Sequence, residues 1–359
     1  MIVHQVLSGA GPVDAVTAQA LAYRRLFSDW GWGGGDHAVS IDPRLGRRVA
    51  PLKALDPAAD DVLILHYSAY APKLQAVLEL PNPKLMQYHN VTPARWFWDY
   101  EPTIAVHCSL GRRQLPDFVA GVDLAAAVSH FNVAELIAAG AERTAVIPIL
   151  FTPPPPPPPA PEPEPAAADP SPPADAPPTI LFVGRLTPHK RQDELIGAFS
   201  LYRRHRRADA RLVLVGEPLD ERYGRSLAGL ADRLAPGGVT FLRGIAPEEL
   251  WRRYREADVF VCLSEHEGFC VPLLEAFHFG VPVVGRPSGG VAEVAGDAAI
   301  LTDDPDLGLI AELIHLTVED RGLREELRAR GRRRLEDYSY EATAAKLRAA
   351  IESIARSNG

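Results

Sequence analysis

The chain has 359 residues, of which 47% are hydrophobic and 23% charged, and its formal net charge at pH 7 is −8. This length exceeds that of one typical domain and predicts two domains, each large enough to bury a core. The acidic balance argues against a nucleic-acid-binding protein, which carries a basic face. The three cysteines, Cys108, Cys262 and Cys270, show neither a disulfide framework nor a metal-ligand spacing. With no leader-like amino terminus and no bilayer-length apolar run, a cytoplasmic protein is expected, and a peripheral contact with the inner membrane face stays open.

Residues 1–151 are predicted to form an α/β domain. Short apolar runs alternate there with helical patterns, and continuously apolar strands are typical of parallel sheets that helices cover on both faces. The predicted strands are residues 2–7, 62–67, 84–89, 124–129 and 144–150.

Residues 152–178 interrupt this pattern with a low-complexity stretch that contains seven consecutive prolines, Pro153 to Pro159. Proline has no backbone donor and a fixed φ, so the stretch is predicted to be a stiff, extended linker or surface loop. A recognition site for a proline-binding partner is the alternative.

Residues 179–338 repeat the alternation and predict a second α/β domain, which the helix of residues 339–359 follows. The domain that this last helix packs on stays open, the amino-terminal domain included. Two Rossmann-like, doubly wound parallel-sheet domains would face each other across a cleft, where ligands bind outside the carboxyl ends of the strands. The predicted strands are residues 179–184, 211–216, 239–244, 258–264, 282–286 and 298–302.

The stretch SEHEGFCVPLLEAFHFG, residues 264–280, follows one of these strands and predicts a loop and then a helix. Pro272 suits the start of the helix and Gly280 its end. The amino terminus of a helix binds phosphate, and Gly268 permits close backbone approach. Glu267 before the helix and Glu275 in its first turn could accept hydrogen bonds from hydroxyls on either side of the phosphate. A nucleotide sugar has this layout, whereas acids that merely complement the helix dipole are the structural alternative.

The stretch GRLTPHKRQDEL, residues 184–195, also follows a strand and places Arg185 and Lys190 near the same cleft. Such cations stabilise the charge that develops on a departing diphosphate. A solvated surface pair is the alternative for either residue alone.

These stretches, with LVLVGE, the run from FLRGIAPEEL to FGVPVV, and SGGVAEV, occur in an order and spacing that resemble the donor domain of the retaining glycosyltransferases of family four. The resemblance runs from about residue 179 to 340 and implies the GT-B fold. It further implies transfer of a sugar from a nucleotide-diphosphate sugar to an acceptor hydroxyl, with retention and without a metal ion or other cofactor.

The resemblance also implies roles for individual residues. Arg185 and Lys190 match the pair that binds the donor diphosphate, Glu267 the acid that contacts the transferred sugar, and Glu275 the acid that binds the ribose. The remaining donor contacts are through backbone: Gly268, Val271, Leu273 and Leu274 at the phosphates, and Gly244 and Ile245 at the base.

The first half resembles the family more loosely. Gly9 and Gly11 match a glycine-rich loop near the donor phosphates and the acceptor, and His89 matches a histidine that contacts the sugar near its reacting centre. A structural role for His89 is the alternative. Trp96, Phe97 and Trp98 could line an acceptor site or pack in the core, and Ser129 could face the cleft.

The expected function is therefore that of a hexosyltransferase in glycan biosynthesis, with a UDP- or GDP-sugar as donor and a glycan, lipid or small molecule as acceptor. A silent sugar-nucleotide- or glycan-binding subunit, or a GT-B phosphorylase or epimerase, is the alternative. Two features depart from the family. The proline tract replaces a short interdomain connection, and residues 303–306, DDPD, resemble a metal-binding aspartate pair but are predicted to form a surface turn.

Overall fold

The structure is a computed structural model that describes residues 1–12, 14–154 and 176–356. The predicted role of the proline tract falls mostly on residues outside these ranges. The strands of the amino-terminal domain are β1 (Val3–Leu7), β2 (Asp36–Ala38), β3 (Ala50–Pro51), β4 (Val62–Tyr67), β5 (Lys84–Tyr88), β6 (Leu124–Ala127) and β7 (Thr144–Val146). They form one parallel sheet in the order β3-β2-β1-β4-β5-β6-β7. Its helices are α1 (Ala15–Asp29), α2 (Gln75–Leu78), α3 (Pro102–Ala120) and α4 (His130–Ala138).

The carboxyl-terminal domain contains a second parallel sheet. Its strands are β8 (Thr179–Val183), β9 (Arg211–Val215), β10 (Val239–Leu242), β11 (Val259–Cys262), β12 (Val283–Gly285) and β13 (Ala299–Leu301). Their order is β10-β9-β8-β11-β12-β13. The helices are α5 (Gln192–His205), α6 (Glu221–Leu234), α7 (Pro247–Glu256), α8 (Val271–His278), α9 (Val291–Ala295), α10 (Leu307–Glu319) and α11 (Arg321–Asp337), and α12 (Tyr340–Ala355) follows them.

The central strands are buried on both faces, as their continuous apolar composition predicts. Every residue of β4, VLILHY, is buried, and so is every residue of β11, VFVC. In β4, Ile64 packs in one core cluster, whereas Leu63 and Leu65 pack in another on the opposite face. Because side chains alternate between the faces of a strand, this pattern requires helices on both sides. The predicted class, two Rossmann-like doubly wound parallel-sheet domains, is confirmed.

Helix α12 packs on the amino-terminal domain. Leu347, Ile351 and Ile354 are fully buried in a cluster with Val3 and Tyr23. The guanidinium of Arg348 lies over the rings of Trp30 and Trp32. The chain therefore crosses back to the first domain after completing the second.

The sequence patterns missed two strands at the edge of the amino-terminal sheet. β2 has three residues and β3 has two, and β2 begins with the polar pair Asp36–His37, so neither resembles an apolar run. Within the described residues, none of the helices combines the length and the apolar character that crossing a membrane requires.

Candidate functional site

The central feature of the site is an ion pair between Lys190 and Glu267. Lys190 ends a short 3-10 turn after β8, and Glu267 lies in the loop between β11 and α8. Lys190 Nζ is 2.6 Å from Glu267 Oε1, and Ser264 Oγ donates to the same oxygen at 2.8 Å. The two charged side chains are only 15% and 11% exposed. The pair thus places a buried cation and a buried carboxylate together at the carboxyl ends of two neighbouring strands.

Each member of the pair keeps the other charged. Burial opposes ionisation of both side chains, and the opposite charge overcomes it. Burial alone would lower the pKa of Lys190, but the Glu267 carboxylate raises that pKa above its usual value. Burial alone would raise the pKa of Glu267, but the Lys190 ammonium lowers it, with help from His189 and Ser264.

The turn that carries Glu267 is held from two sides by hydrogen bonds to its backbone carbonyl groups. Gly290 N donates to Glu267 O at 2.8 Å, and Ser288 Oγ donates to Ser264 O. On the other side, Ser129 Oγ of the amino-terminal domain donates to Gly268 O at 2.7 Å. A Cβ at Gly268 would lie 2.8 Å from Asn90 Cβ, so only glycine fits without displacing the other domain.

Helix α8 begins directly after this turn. Cys270, with φ 77°, precedes it, and no side chain caps its amino terminus. An uncapped helix start has N–H groups and a partial positive charge that suit an anion, and phosphate contacts at Val271 and Leu274 stay a prediction. The Leu273 amide, also predicted to bind phosphate, donates to Cys270 O at 3.2 Å.

The prediction that Glu275 lies in the first turn of α8 is wrong. The helix begins at Val271, its first turn contains no acidic residue, and Glu275 is the fifth residue. The Glu275 carboxylate accepts a hydrogen bond from Tyr254 Oη at 2.7 Å. Burial raises the pKa of Glu275, and the hydrogen bond from Tyr254 lowers it in part. The helix begins where Pro272 predicts it, but a turn holds only about 3.6 residues, so Glu275 falls just beyond the first turn.

Arg185 differs from Lys190 in being exposed. Its backbone carbonyl accepts a hydrogen bond from Gln192 Nε2 at 3.2 Å. Its guanidinium makes no hydrogen bond or ion pair with the residues described here, so it is available to an anion at the carboxyl end of β8.

The predicted base-binding loop follows β10. Gly244 adopts φ 57°, and a Cβ there would lie 3.7 Å from Glu217 Oε1. Ile245 packs against the core cluster that contains Leu273 and Tyr254. The loop therefore belongs to the same side of the domain as α8.

The amino-terminal domain brings His89 and Asn90 to this site. His89 follows β5, and its carbonyl oxygen would lie 3.1 Å from a Cβ at Gly268. Asn90, with φ 82°, forms a hydrogen bond of 2.7 Å between its Oδ1 and His266 Nε2. Sequence reasoning missed Asn90 and His266, because they meet only when the two domains pack together, and it missed Ser264, because no motif links this serine to Glu267.

Gly9 and Gly11 line a separate cavity of about 240 Å³ between the loop after β1 and the end of β4. Ser8, Asp14, His66 and Ser68 also line it, and none of its lining residues belongs to the carboxyl-terminal domain. Asp14 caps α1 by accepting from Thr17 N at 2.8 Å.

The remaining candidates separate into buried and exposed residues. Phe97 is buried and meets His189 edge-on across the domain boundary at 5.7 Å, whereas Trp98 is 49% exposed. The Trp96 ring packs beside the Arg95 guanidinium. Residues 303–306 are exposed and belong to no helix or strand, in line with the predicted surface turn, and Asp306 caps α10.

The sequence analysis did not predict that two cysteines lie beside Glu267. The ligand atoms of Cys262, Glu267 and Cys270 all lie within 4.8 Å of one another, and the two sulfurs are 3.9 Å apart. The two cysteines are eight residues apart and meet because the loop folds back at Glu267. In this structure the Lys190 ammonium pairs with that carboxylate.

The fold defines the class of protein, because two Rossmann-like parallel-sheet domains meeting at the carboxyl ends of their strands are the GT-B arrangement. The structure of Anabaena HepE in complex with UDP and glucose aligns with a TM-score of 0.73 at 17% identity, over 98% of this chain and 100% of that one. Sucrose-phosphate synthase from Thermosynechococcus elongatus aligns with a TM-score of 0.71 at 19% identity, over 99% of both chains.

The sequence of the second domain is similar to a known family. Residues 165–334 match the family described as "Glycosyl transferases group 1". This match, over just under half of the chain, confirms the resemblance and is consistent with retaining family four.

Two curated relatives show the same likeness. O-antigen chain mannosyltransferase B of Escherichia coli is 33% identical over 162 residues, 45% of this chain and 42% of the relative. The GDP-mannose-dependent alpha-(1-6)-phosphatidylinositol monomannoside mannosyltransferase of Mycobacterium tuberculosis is 32% identical over 183 residues, 47% of this chain and 46% of the relative. The chain thus spans less than half the length of each of these relatives.

Proposed function

We propose that this protein is a glycosyltransferase that moves a sugar from a nucleotide-diphosphate sugar to an acceptor hydroxyl, with retention of configuration and without a metal ion. The observation that carries the proposal is the buried Lys190–Glu267 pair, which lies within the family match and against the amino-terminal domain. A fixed cation beside a fixed acceptor suits a substrate that carries both phosphate and hydroxyl groups.

On the donor side, Lys190 and Arg185 stabilise the charge that develops on the departing diphosphate. Lys190 is preorganised by Glu267, whereas the exposed Arg185 closes on the ligand. The uncapped start of α8 adds N–H groups for the phosphates. Glu275 receives the ribose hydroxyls, and the backbone at Gly244 and Ile245 receives the base.

On the acceptor side, His89 lies beside the Glu267–Gly268 turn and contacts the transferred sugar. The acceptor, a glycan, a lipid or a small molecule, enters along the loop of Gly9 and Gly11, where the cavity lies. Closure of the two domains excludes water, so that the acceptor hydroxyl rather than water attacks. A phosphate oxygen of the donor takes the acceptor proton on the face that the diphosphate leaves, which gives retention.

The donor is a UDP- or GDP-sugar. One mannosyltransferase relative is named as GDP-mannose-dependent, and the HepE structures contain UDP or UDP-glucose. These names describe the relatives. Because the base is proposed to contact backbone groups, which do not distinguish UDP from GDP, experiment decides between the two nucleotides.

Thermal unfolding with UDP, GDP, ADP and dTDP, each alone, tests the donor site. A ligand at 100 times its Kd stabilises the native state by about 2.7 kcal/mol. We expect UDP or GDP to raise the melting temperature and Lys190→Ala to abolish the rise. No shift with any nucleotide contradicts the proposal.

Product analysis separates the remaining functions. Transfer with retained configuration, seen by NMR of the product, supports the proposal. Release of free sugar phosphate only with inorganic phosphate would show a phosphorylase, and nucleotide binding without transfer or hydrolysis would show a binding subunit.

A further inference from the structure

A chain of hydrogen bonds runs from the site into the core of the amino-terminal sheet. It links three adjacent strands: Gln5 on β1, His66 on β4 and His89 at the end of β5. His66 Nδ1 is 2.9 Å from His89 Nε2, and His66 Nε2 is 2.9 Å from Gln5 Oε1. We name these three residues the Gln5–His66–His89 relay.

The inner end of the relay fixes which way the Gln5 amide points. Gln5 Nε2 donates to Ala20 O at 2.8 Å and to Asp36 Oδ1 at 2.7 Å, which uses both of its hydrogens. Asp36 is held in turn by Arg24, whose Nη2 is 2.7 Å from the same oxygen. A flipped amide would direct its oxygen at two acceptors, so the oxygen must face His66.

The proton positions along the relay then follow step by step. Because Gln5 Oε1 only accepts, His66 Nε2 carries a hydrogen and donates it. Burial lowers the pKa of His66 well below its usual value, and His89 lowers it further, so the ring is neutral and its Nδ1 accepts. His89 Nε2 must therefore donate to it.

His89 is left with one ring nitrogen that has no hydrogen. Burial lowers the pKa of His89 to about 3, so its ring is neutral as well and Nδ1 carries a lone pair. Nδ1 is buried and has no hydrogen-bond partner among the described residues. A buried acceptor without a partner is costly, and a ligand that donates a hydrogen bond would remove this cost.

We propose that Gln5 and His66 are positioning residues that hold His89 in its Nε2–H tautomer, so that its Nδ1 can only accept a hydrogen bond, from a hydroxyl of the transferred sugar. The assignment of this ligand rests on the proposed function, whereas the tautomer does not. A sugar with a carboxylate at this position would place an acceptor against an acceptor, so the relay selects neutral hexoses over uronic acids.

The tautomer is measured by NMR on the full chain labelled with ¹⁵N-histidine. We expect His89 to show a protonated Nε2 and an unprotonated Nδ1, with its signals assigned by their loss in His89→Gln. A protonated Nδ1 in the unmodified protein overturns the proposal, and this spectrum alone decides it if the variants below do not fold.

Gln5→Met tests the role of Gln5. It removes the acceptor for His66 Nε2, so we expect the His89 signals to change to the reversed tautomer or to a mixture. Gln87→Met is the matched control, because Gln87 is a fully buried glutamine of the same sheet that donates to Ile147 O outside the relay. An unchanged His89 tautomer in Gln5→Met contradicts the positioning role.

The ligand is tested with the nucleotide sugar whose nucleotide stabilises the protein. A shift of the His89 Nδ1 signal on binding that sugar, and not on binding the nucleotide alone, supports the hydroxyl contact. Binding without this shift overturns the contact and leaves the proposed function standing. If no nucleotide binds, the contact fails together with the proposed function, and the tautomer is decided by the first spectrum.

Discussion

The two faces of the site are built from different chemistry. The face formed by the carboxyl-terminal domain carries charged groups: the buried Lys190–Glu267 pair and the exposed guanidinium of Arg185. Around His89 the amino-terminal face is neutral, because the imidazole of His89 is held by a second imidazole and an amide. A charged face suits a phosphate that gains charge during the reaction, and a neutral face suits sugar hydroxyls.

This difference also explains why one face is easier to predict. Arg185 and Lys190 lie in one short loop, and Glu267 lies in another, so each motif is contiguous in sequence. The relay joins residues 5, 66 and 89, which only the strand order β1-β4-β5 brings together.

The largest expected effect comes from breaking the charged face. Lys190→Ala should lower turnover at least about 100-fold, because it removes a preorganised cation. It should also lower the free energy of unfolding by about 3 kcal/mol, because it leaves the Glu267 carboxylate buried and unpaired. Transfer assays and denaturant unfolding measure both effects.

Lys346→Ala is the control for this change, since Lys346 is exposed on α12. We expect it to keep the turnover and stability of the unmodified protein. Turnover of Lys190→Ala near that of the control would remove Lys190 from the mechanism.

The second change acts where the two faces touch. In Gly268→Ala the new methyl group would lie 2.8 Å from Asn90 Cβ and 3.1 Å from Asn132 Nδ2. Such overpacking costs about 1–3 kcal/mol, and here it would push the two domains apart. Thermal unfolding and transfer assays should both show a loss.

Gly229→Ala is the matched control. Gly229 lies inside α6, where a Cβ meets only Arg233 Nη1 at 3.4 Å, an ordinary contact. This variant should be more stable by about 0.5–1 kcal/mol, because alanine favours a helix interior. If Gly268→Ala is as stable and as active as Gly229→Ala, the boundary between the two domains has room for the added methyl group.

The third prediction concerns pH and tests the neutral face. His89 has a pKa of about 3 in the folded protein and about 6.5 when unfolded, so between these values the unfolded state binds one more proton. The stability that neutral His89 contributes is complete above pH 6.5 and is lost as the pH falls. The free energy of unfolding should fall from this source by up to about 1.4 kcal/mol per pH unit.

In His89→Gln, the part of the pH dependence of the free energy of unfolding that comes from His89 should disappear between about pH 6.5 and 5. His107→Gln replaces an exposed histidine and serves as the control, with the slope of the unmodified protein expected. Equal slopes in the two variants would mean that His89 is protonated in the fold, which the relay does not allow.

Much of the fold follows from the sequence, because apolar runs in a parallel sheet are contiguous. The predicted strand of residues 62–67 matches β4 as a whole, and most other predicted strands extend one to three residues beyond the observed ends. β2 and β3 were missed, since strands of two or three residues leave no periodicity to detect.

Much less of the site follows from the sequence. The motifs single out Lys190, Glu267 and Glu275. They do not show that Lys190 and Glu267 form an ion pair or that Tyr254 Oη donates a hydrogen bond to the Glu275 carboxylate. The contact of Asn90 with His266 joins positions 176 residues apart. The first two pairings depend on how the elements of one domain pack and the third on how two domains dock, and no local pattern encodes either.

The smallest expected effect isolates one hydrogen bond between the domains. Ser129 Oγ accepts from Asn132 N at 3.3 Å as the cap of α4, and it donates to Gly268 O at 2.7 Å in the other domain. Ser339 Oγ caps α12 by accepting from Ala342 N, also at 3.3 Å, and it donates no such bond to any residue that the structure describes. Ser129→Ala and Ser339→Ala each remove a helix cap, which costs about 1 kcal/mol. Ser129→Ala should lose about 1 kcal/mol more in denaturant unfolding, because Gly268 O then keeps only the longer hydrogen bond from Asn132 Nδ2 at 3.4 Å. Equal losses would mean that the bond to Gly268 contributes nothing net, and that other contacts across the boundary, such as the hydrogen bond between Asn90 Oδ1 and His266 Nε2, hold the two faces together.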